Sequence, residues 1–358
     1  MRLLNTITRW FGRGAKVETN QTTPIRPERG RVDHVVIIDG SMSSLREGCE
    51  SNAGLLYKML CDMPSDRRIS LRYEAGVQWR NWTSFRDVLE GRGINRQIRR
   101  SYGFIASRYK PGDRIFLFGY SRGAYAVRSL AGVLDRVGLL QAQHATVSNI
   151  RQAYRLYEAG GTGTAAQRFK ELYCIEQPQV EMLGVWDTVK SLGLPLPIFW
   201  RWTQSKHRFH NHELGHHIAH AYQALARDET RIAFAPVLWT HTKEFPGIVD
   251  QTWFRGVHGD VGGQLGGFTP ARPLSNIPLA WMLERAETLG LPLPGEWRND
   301  VVCDPDAPSI GNWRGWRWMF VTRRKRSIGA DPSERVYDYK AGDRVAQSDQ
   351  SAQNVISA

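Results

Sequence analysis

The chain has 358 residues, 41% hydrophobic and 23% charged, a globular balance that excludes a disordered or fibrous protein. No run of about 18 apolar residues occurs, so no ordinary transmembrane helix is expected. Four scattered cysteines (Cys49, Cys61, Cys174, Cys303) form neither a zinc pattern nor a disulfide framework.

The net charge of +13 gathers at the two ends. Residues 1–30 carry six Lys/Arg against two Glu, and residues 311–358 carry nine Lys/Arg against five acids. That distribution suits an anionic surface as well as simple solubility. The first residues lack the apolar stretch and cleavage site of a signal peptide, so a reduced cytoplasm is the expected location.

In chain order, Leu3, Leu4, Ile7, Trp10 and Phe11 recur at helical spacing with Arg2, Arg9, Arg13 and Lys16 largely off the stripe. The pattern predicts a short amphipathic helix that lies on a membrane, peripherally attached. A polar, proline-bearing linker follows over residues 18–30. Val32 to Ile38 is a β-branched run that reads as a buried strand ending in Asp39-Gly40-Ser41. Ile94, Ile98, Tyr102, Ile105 and Tyr109 predict a helix over 94–109, and Ile115 to Phe118 a second buried strand. A helix is expected over 124–137, stopped by Gly138, then a strand over 180–185 and a late helix over 277–289 closed by Gly290. Strands alternating with helices imply an α/β fold, a mostly parallel sheet covered on both faces.

Between the second strand and its helix lies Gly119-Tyr120-Ser121-Arg122-Gly123, a G-x-S-x-G in the strand–turn–helix setting that motif requires. Gly119 and Gly123 permit a turn too tight for a Cβ, and Ser121 projects at the carboxyl edge of the sheet. A serine nucleophile needs a histidine to take its proton and an acid to orient that histidine. Asp187 follows a predicted strand directly, and His258 lies later among glycines that suggest a loop. The order Ser, Asp, His is that of α/β-hydrolases. Asp260 is the competing acid. The oxyanion hole would use the backbone N–H of Arg122 and that of Ser41 or Met42, with Gly40 allowing close approach. Asp39 supports this loop or merely ends the strand.

His212-Glu213-Leu214-Gly215-His216 is a literal H-E-x-x-H and offers a zinc hydrolase as a minor alternative. It sits in a run of six histidines, its extended form fails at Ala219 and Tyr222, and Gly215 disfavours a helix. No metal or organic cofactor is therefore expected. Among 13 tryptophans, two clusters stand out. Leu192 to Trp202, with Phe199 and Trp200, would form a lid or membrane-dipping loop. Trp313, Trp316 and Trp318 alternate with Arg314 and Arg317 ahead of Arg323-Arg324-Lys325-Arg326. Indoles with cations suit a lipid headgroup boundary. The same composition can stack single-stranded nucleic acid or pack a terminal strand. Lipid is carried forward, and no nucleic-acid partner is expected.

The sequence resembles the α/β-hydrolase catalytic domain of type VI secretion phospholipase effectors. The matching blocks are Asp39-Gly40-Ser41, Tyr73 to Val77, Pro111-Gly112-Asp113, Gly119 to Tyr125 with Arg128, and Gly184 to Val189. Asp228-Glu229 with Arg231, Trp253-Phe254 and His258 to Gly263 complete the set. Ser41 stands where the family has threonine, and Gln264 where a third glycine is common. The resemblance implies a Ser121–Asp187–His258 triad acting on phospholipid or another acyl ester through an acyl-enzyme. It also implies a secretion-apparatus or immunity partner, with export that needs no signal peptide. The alternative from another class is a membrane- or partner-binding module that keeps a hydrolase shell. The chain thus divides into a basic leader and linker (1–30), a catalytic domain (31–310), a Trp/Arg-rich extension (311–340) and a polar tail (341–358) expected to be disordered.

Overall fold

The computed structural model describes residues 30–64, 68–76, 92–175, 178–189, 214–240, 245–312 and 322–340. Trp10, Phe11, Phe199, Trp200, Trp313, Trp316, Trp318, His212 and Glu213 lie outside these residues, as does the polar tail. No helix among the described residues is long and apolar enough to cross a membrane.

Seven strands form one sheet: β1 (Asp33–Ile38), β2 (Ile69–Glu74), β3 (Arg114–Tyr120), β6 (Val180–Trp186), β7 (Ile218–Ala226), β8 (Ile248–Phe254) and β9 (Glu334–Val336). Their spatial order is β2-β1-β3-β6-β7-β8-β9, and all six pairings are parallel. Two short strands, β4 (Leu139–Leu140) and β5 (Cys174–Ile175), pair antiparallel apart from it.

The period of two in β1 explains the two cores. Val36 and Ile38 join Ile115, Leu117, Leu183 and Val185 on one face, covered by α2 (Arg92–Ala106), α3 (Arg122–Arg136) and α4 (Val147–Glu158). Helix α5 (Thr164–Tyr173) adds Phe169 to the same cluster. Val35 and Ile37 join Phe116, Phe118, Met182 and Trp186 on the other, under α1 (Asn52–Cys61) and α7 (Arg272–Thr288). Two short helices, α6 (His258–Gly262) and α8 (Trp297–Asp300), complete the set of labelled elements.

The chain moves outward from β1 to β2, then returns to place β3 on the opposite side of β1. That reversal opens a crevice at the carboxyl ends of β1 and β3, where open α/β sheets hold ligands. Asp39, Ser121 and Asp187 follow the carboxyl ends of β1, β3 and β6 directly, and His258 lies four residues beyond β8. All four therefore meet at one edge.

Several elements differ from the sequence reading. The late helix begins at Arg272 because Pro273 sits in its first turn, where its missing N–H costs nothing, and it runs through Pro278. His258 is not in a loop: it opens helix α6, whose last turn is closed by Gly263 at φ 81°. Helix α1, begun by a Ser51 cap onto the Gly54 N–H at 3.0 Å, carries no strong apolar stripe, because four of its five buried positions are consecutive or nearly so (Asn52, Ala53, Gly54, Leu56).

Buried Tyr102 ties α2 to the turn that enters β4. Its hydroxyl donates to the Gly138 carbonyl at 2.8 Å and accepts from the Leu140 N–H at 3.0 Å. Tyr102→Phe leaves two buried backbone groups without this partner, and is expected to lower unfolding free energy by about 1–3 kcal/mol in urea titration.

Candidate active site

Backbone strain is concentrated at the sheet's carboxyl edge. Among the described residues, positive φ at non-glycine positions is confined to Met42 (63°), Ser121 (57°) and Asp187 (40°). Residues hold such conformations only where their surroundings over-determine them. At Ser121 the cause is visible. A Cβ on Gly123 would lie 2.1 Å from the Ile38 carbonyl oxygen, and one on Gly119 would lie 2.7 Å from the Ala124 Cα. With both glycines, β3 reverses into α3 in one residue, and Ser121 is left at the crest, 7% exposed.

His258 lies between Ser121 and Asp187. Its Nε2 is 2.9 Å from Ser121 Oγ, and its Nδ1 is 2.6 Å from Asp187 Oδ2. The imidazole stacks on Tyr120 with centroids 5.0 Å apart, and the Phe234 ring closes its other side at 4.9 Å. The backbone N–H of His258 donates to Glu229 Oε2 at 3.2 Å. Glu229 in turn accepts from Arg231 Nε at 2.8 Å and Nη2 at 2.6 Å, a buried bidentate pair.

These surroundings fix the charges. Burial pushes the His258 imidazole below its ordinary value, although Asp187 and Glu229 pull it back upward. Burial alone would raise the Asp187 carboxyl, but Arg326 and His258 outweigh it and hold it well below the usual carboxylate range. With Asp187 ionised, His258 places its proton on Nδ1 and leaves Nε2 to accept from the serine hydroxyl. The arrangement can move a proton from Ser121 to His258 while the carboxylate stabilises the resulting imidazolium.

Asp260, the competing acid, faces away from the imidazole. Its carboxylate accepts from the Val257 N–H at 2.9 Å, Ser309 Oγ at 2.5 Å and the Ile310 N–H at 3.0 Å. It caps its own helix and anchors the segment that follows Ala307.

Asp39 organises the loop opposite. Burial pushes its carboxyl up, against hydrogen bonds from Ser51, Tyr73 and the Gly40 N–H. Ser51 Oγ and Tyr73 OH each donate at 2.7 Å, and the Gly40 N–H at 2.6 Å. Asp39 thus ties β1, β2 and α1 to the Gly40-Ser41-Met42 turn. A Cβ on Gly76 would lie 1.6 Å from the Gly40 carbonyl oxygen, so the chain after β2 packs directly on that turn. Gln264, in place of a glycine, donates from Nε2 to the Ser41 carbonyl at 3.0 Å. Arg122 is the first residue of α3, so its N–H lies at a helix N-terminus, where negative charge is favoured. Its side chain is partly buried, which lowers its guanidinium to about 10.

Sequence reading did not assign Arg326, Glu229, Arg231, Phe234 or Tyr73 to this site. The Asp-Glu-x-Arg spacing could have suggested the Glu229–Arg231 pair. Nothing local distinguishes Arg326 from its three basic neighbours, and it reaches Asp187 across 139 residues of chain. Of the two H-E-x-x-H histidines, His216 is described, and it is exposed, two residues before β7. No cluster of three or more His, Cys, Asp or Glu that could hold a metal is found among the described residues.

An all-parallel sheet with helices on both faces and a serine at a strained strand-to-helix turn defines an α/β-hydrolase-like fold. Residues 33–285 match the model of the type VI secretion system phospholipase effector Tle1-like catalytic domain, and the chain belongs to that family. An uncharacterised protein of Saccharomyces cerevisiae is 28% identical over 171 residues, covering 45% of this chain and 24% of its own. A structure of the Tle1 effector bound to the VgrG spike of the type 6 secretion system aligns at 18% identity and TM-score 0.34, covering 66% of this chain and 52% of its own. An uncharacterised protein from Pseudomonas aeruginosa aligns at 18% identity and TM-score 0.42, covering 77% and 48%. The chain spans about half the length of these solved structures and about a quarter of the yeast relative.

Gly123→Ala drives a methyl group into the β1 carbonyls and is expected to cost about 1–3 kcal/mol of stability by urea unfolding. Asp187 and Glu229 are both held below their ordinary values of 3.8 and 4.5. Their stabilisation is present above those values and is lost as pH falls through and below them. Unfolding free energy should therefore begin to fall below about pH 4.5 and fall most steeply below about pH 3.8. Glu229→Gln should be less stable at pH 7 by roughly 3 kcal/mol, with a shallower acid loss.

Proposed function

We propose that the protein is a serine ester hydrolase of phospholipids or related acyl esters, with Ser121 as nucleophile, His258 as general base and acid, and Asp187 as the orienting carboxylate. The observation that carries this reading is the pair of contacts on one imidazole, Nε2 to Ser121 Oγ at 2.9 Å and Nδ1 to Asp187 at 2.6 Å. Membership of the phospholipase effector family supports the substrate class.

In this mechanism Ser121 Oγ attacks the acyl carbonyl while its proton passes to His258 Nε2. The tetrahedral oxyanion is held by the N–H of Arg122 and one from the Ser41-Met42 turn, with Gly40, Gly119 and Gly123 permitting the close approach. Collapse breaks the ester bond, and the imidazolium protonates the departing alcohol or lysophospholipid. Water then attacks the acyl-serine, its proton going to His258, and collapse breaks the acyl–Oγ bond as His258 returns that proton to Ser121, releasing a fatty acid. No step calls for a metal or an organic cofactor.

The basic, indole-bearing segments around Trp10 and Phe11 and around Trp313, Trp316 and Trp318, with Phe199 and Trp200, are proposed to hold the enzyme at an anionic membrane surface. A partner in the secretion apparatus is proposed from membership of the type VI secretion effector family. Ser121→Ala is expected to reduce fatty-acid release from phosphatidylglycerol-containing vesicles by roughly a thousand-fold or more, with vesicle co-sedimentation unchanged. Undiminished release would overturn the serine mechanism. Vesicle binding without any release by the wild type would instead favour a binding module.

A further inference from the structure

Asp187 is not partnered by His258 alone. Arg326 lies 41 positions beyond the family-matched residues, 33–285, and its guanidinium straddles the same carboxylate. Nη1 donates to Oδ1 at 2.6 Å and Nη2 to Oδ2 at 3.0 Å. The Ala226 N–H also donates to Oδ1 at 3.0 Å, so the two oxygens together accept four hydrogen bonds. Side chains of both Asp187 and Arg326 are buried, 0% and 4% exposed. The same guanidinium donates to the Ala226 carbonyl at 2.7 Å and the Phe234 carbonyl at 2.6 Å. One side chain therefore joins the end of β6, the end of β7 and the turn whose Phe234 ring closes over His258.

We propose that Arg326 is a positioning residue of the active site, acting through Asp187, and that the segment 322–340 is part of the catalytic unit. The inference rests on the triad reading above. Two features separate it from a surface ion pair. An Arg fork fixes both oxygens of a carboxylate, and so fixes which lone pair faces Nδ1. The segment that carries it is also built into the sheet. The Ile232 N–H donates to the Thr322 carbonyl at 3.2 Å and the Arg324 N–H to the Thr230 carbonyl at 2.7 Å. Strand β9 extends β8, and Arg335 forks onto Asp250 at 2.9 and 2.7 Å.

The guanidinium also offsets part of the carboxylate's charge. The ionisable groups around His258 are Asp187, Glu229 and Arg231, with Arg326 behind Asp187 and Asp260 on its own helix. Without Arg326 an unopposed Asp187 would favour the imidazolium. The pH below which His258 is protonated, and Ser121 unreactive, would then rise.

The test is the rate of fluorophosphonate labelling against pH, in the full chain. Loss of labelling in Ser121→Ala must first hold, and its failure would remove the triad reading itself. Arg326→Gln is then expected to label roughly ten-fold or more slowly, with the rising limb of the profile moved up by about one pH unit. Arg326→Lys keeps the charge without the fork. It should lie between the two in rate, with its limb near that of the wild type, and it carries the test if the Gln variant does not fold. In an Asp187→Asn background the Arg326→Gln change should shift neither rate nor limb by more than about two-fold, since no carboxylate remains to act through. Full additivity there, or wild-type profiles in both Arg326 variants, would overturn the proposal.

Discussion

The structure depends on one buried negative charge. Asp187 has no exposed surface, and an isolated carboxylate in such a place would protonate rather than stay ionised. It stays charged because a guanidinium, an imidazole N–H and a backbone N–H meet it from three directions: Arg326, His258 and the Ala226 amide. Each of those contacts constrains a different part of the chain. His258 is turned toward Ser121, the end of β7 is held in place, and the segment after Thr322 is drawn across the sheet's carboxyl edge. The positive φ of Asp187 is the local cost of aiming one side chain at all three.

A second constraint is steric and acts from the opposite side. The turn after β1, the chain after β2 and the first turn of α3 share space that admits no Cβ at Gly76 or Gly123. The Tyr120 ring likewise occupies the place a Cβ on Gly40 or Gly262 would take, at 2.4 and 1.8 Å. Tyr120 is the residue just before the serine, and it is also the face on which His258 stacks. Close packing and site geometry are therefore the same contacts, which explains why the strained residues and the close-approach glycines fall together. A buried polar lattice behind them holds the sheet edge: Gln223 joins Thr188 Oγ1 at 2.9 Å and the Val237 carbonyl at 3.1 Å.

Much of this was legible in the sequence because it is locally encoded. The apolar runs of β1 and β3, the G-x-S-x-G between β3 and α3, and the acid directly after β6 each announce themselves within a few residues. What was not legible depends on distant partners. Asp260 stood as the competitor to the favoured Asp187, and its bonds to Ser309 and Ile310 show that it is occupied elsewhere. Arg326 sits in a run of four basic residues that reads, with the indoles before it, as a lipid-headgroup surface, yet its guanidinium is buried against Asp187. Gln264 read as a departure beside His258, and its carboxamide instead holds the Ser41 carbonyl of the facing loop. Strand β7, Ile218–Ala226, was hidden by the histidines before it and by its alanines, which have low strand propensity and are accepted here because neighbouring strands and helices crowd both faces.

The central claim is that Ser121 is an activated nucleophile facing two backbone donors. The most direct measurement is a crystal structure of the protein after reaction with a fluorophosphonate. The account predicts a phosphonyl group on Ser121 Oγ, with its oxygen within hydrogen-bond distance of the Arg122 N–H and of an N–H in the Ser41-Met42 turn. A phosphonyl group on another residue, or one on Ser121 whose oxygen meets neither donor, would contradict it.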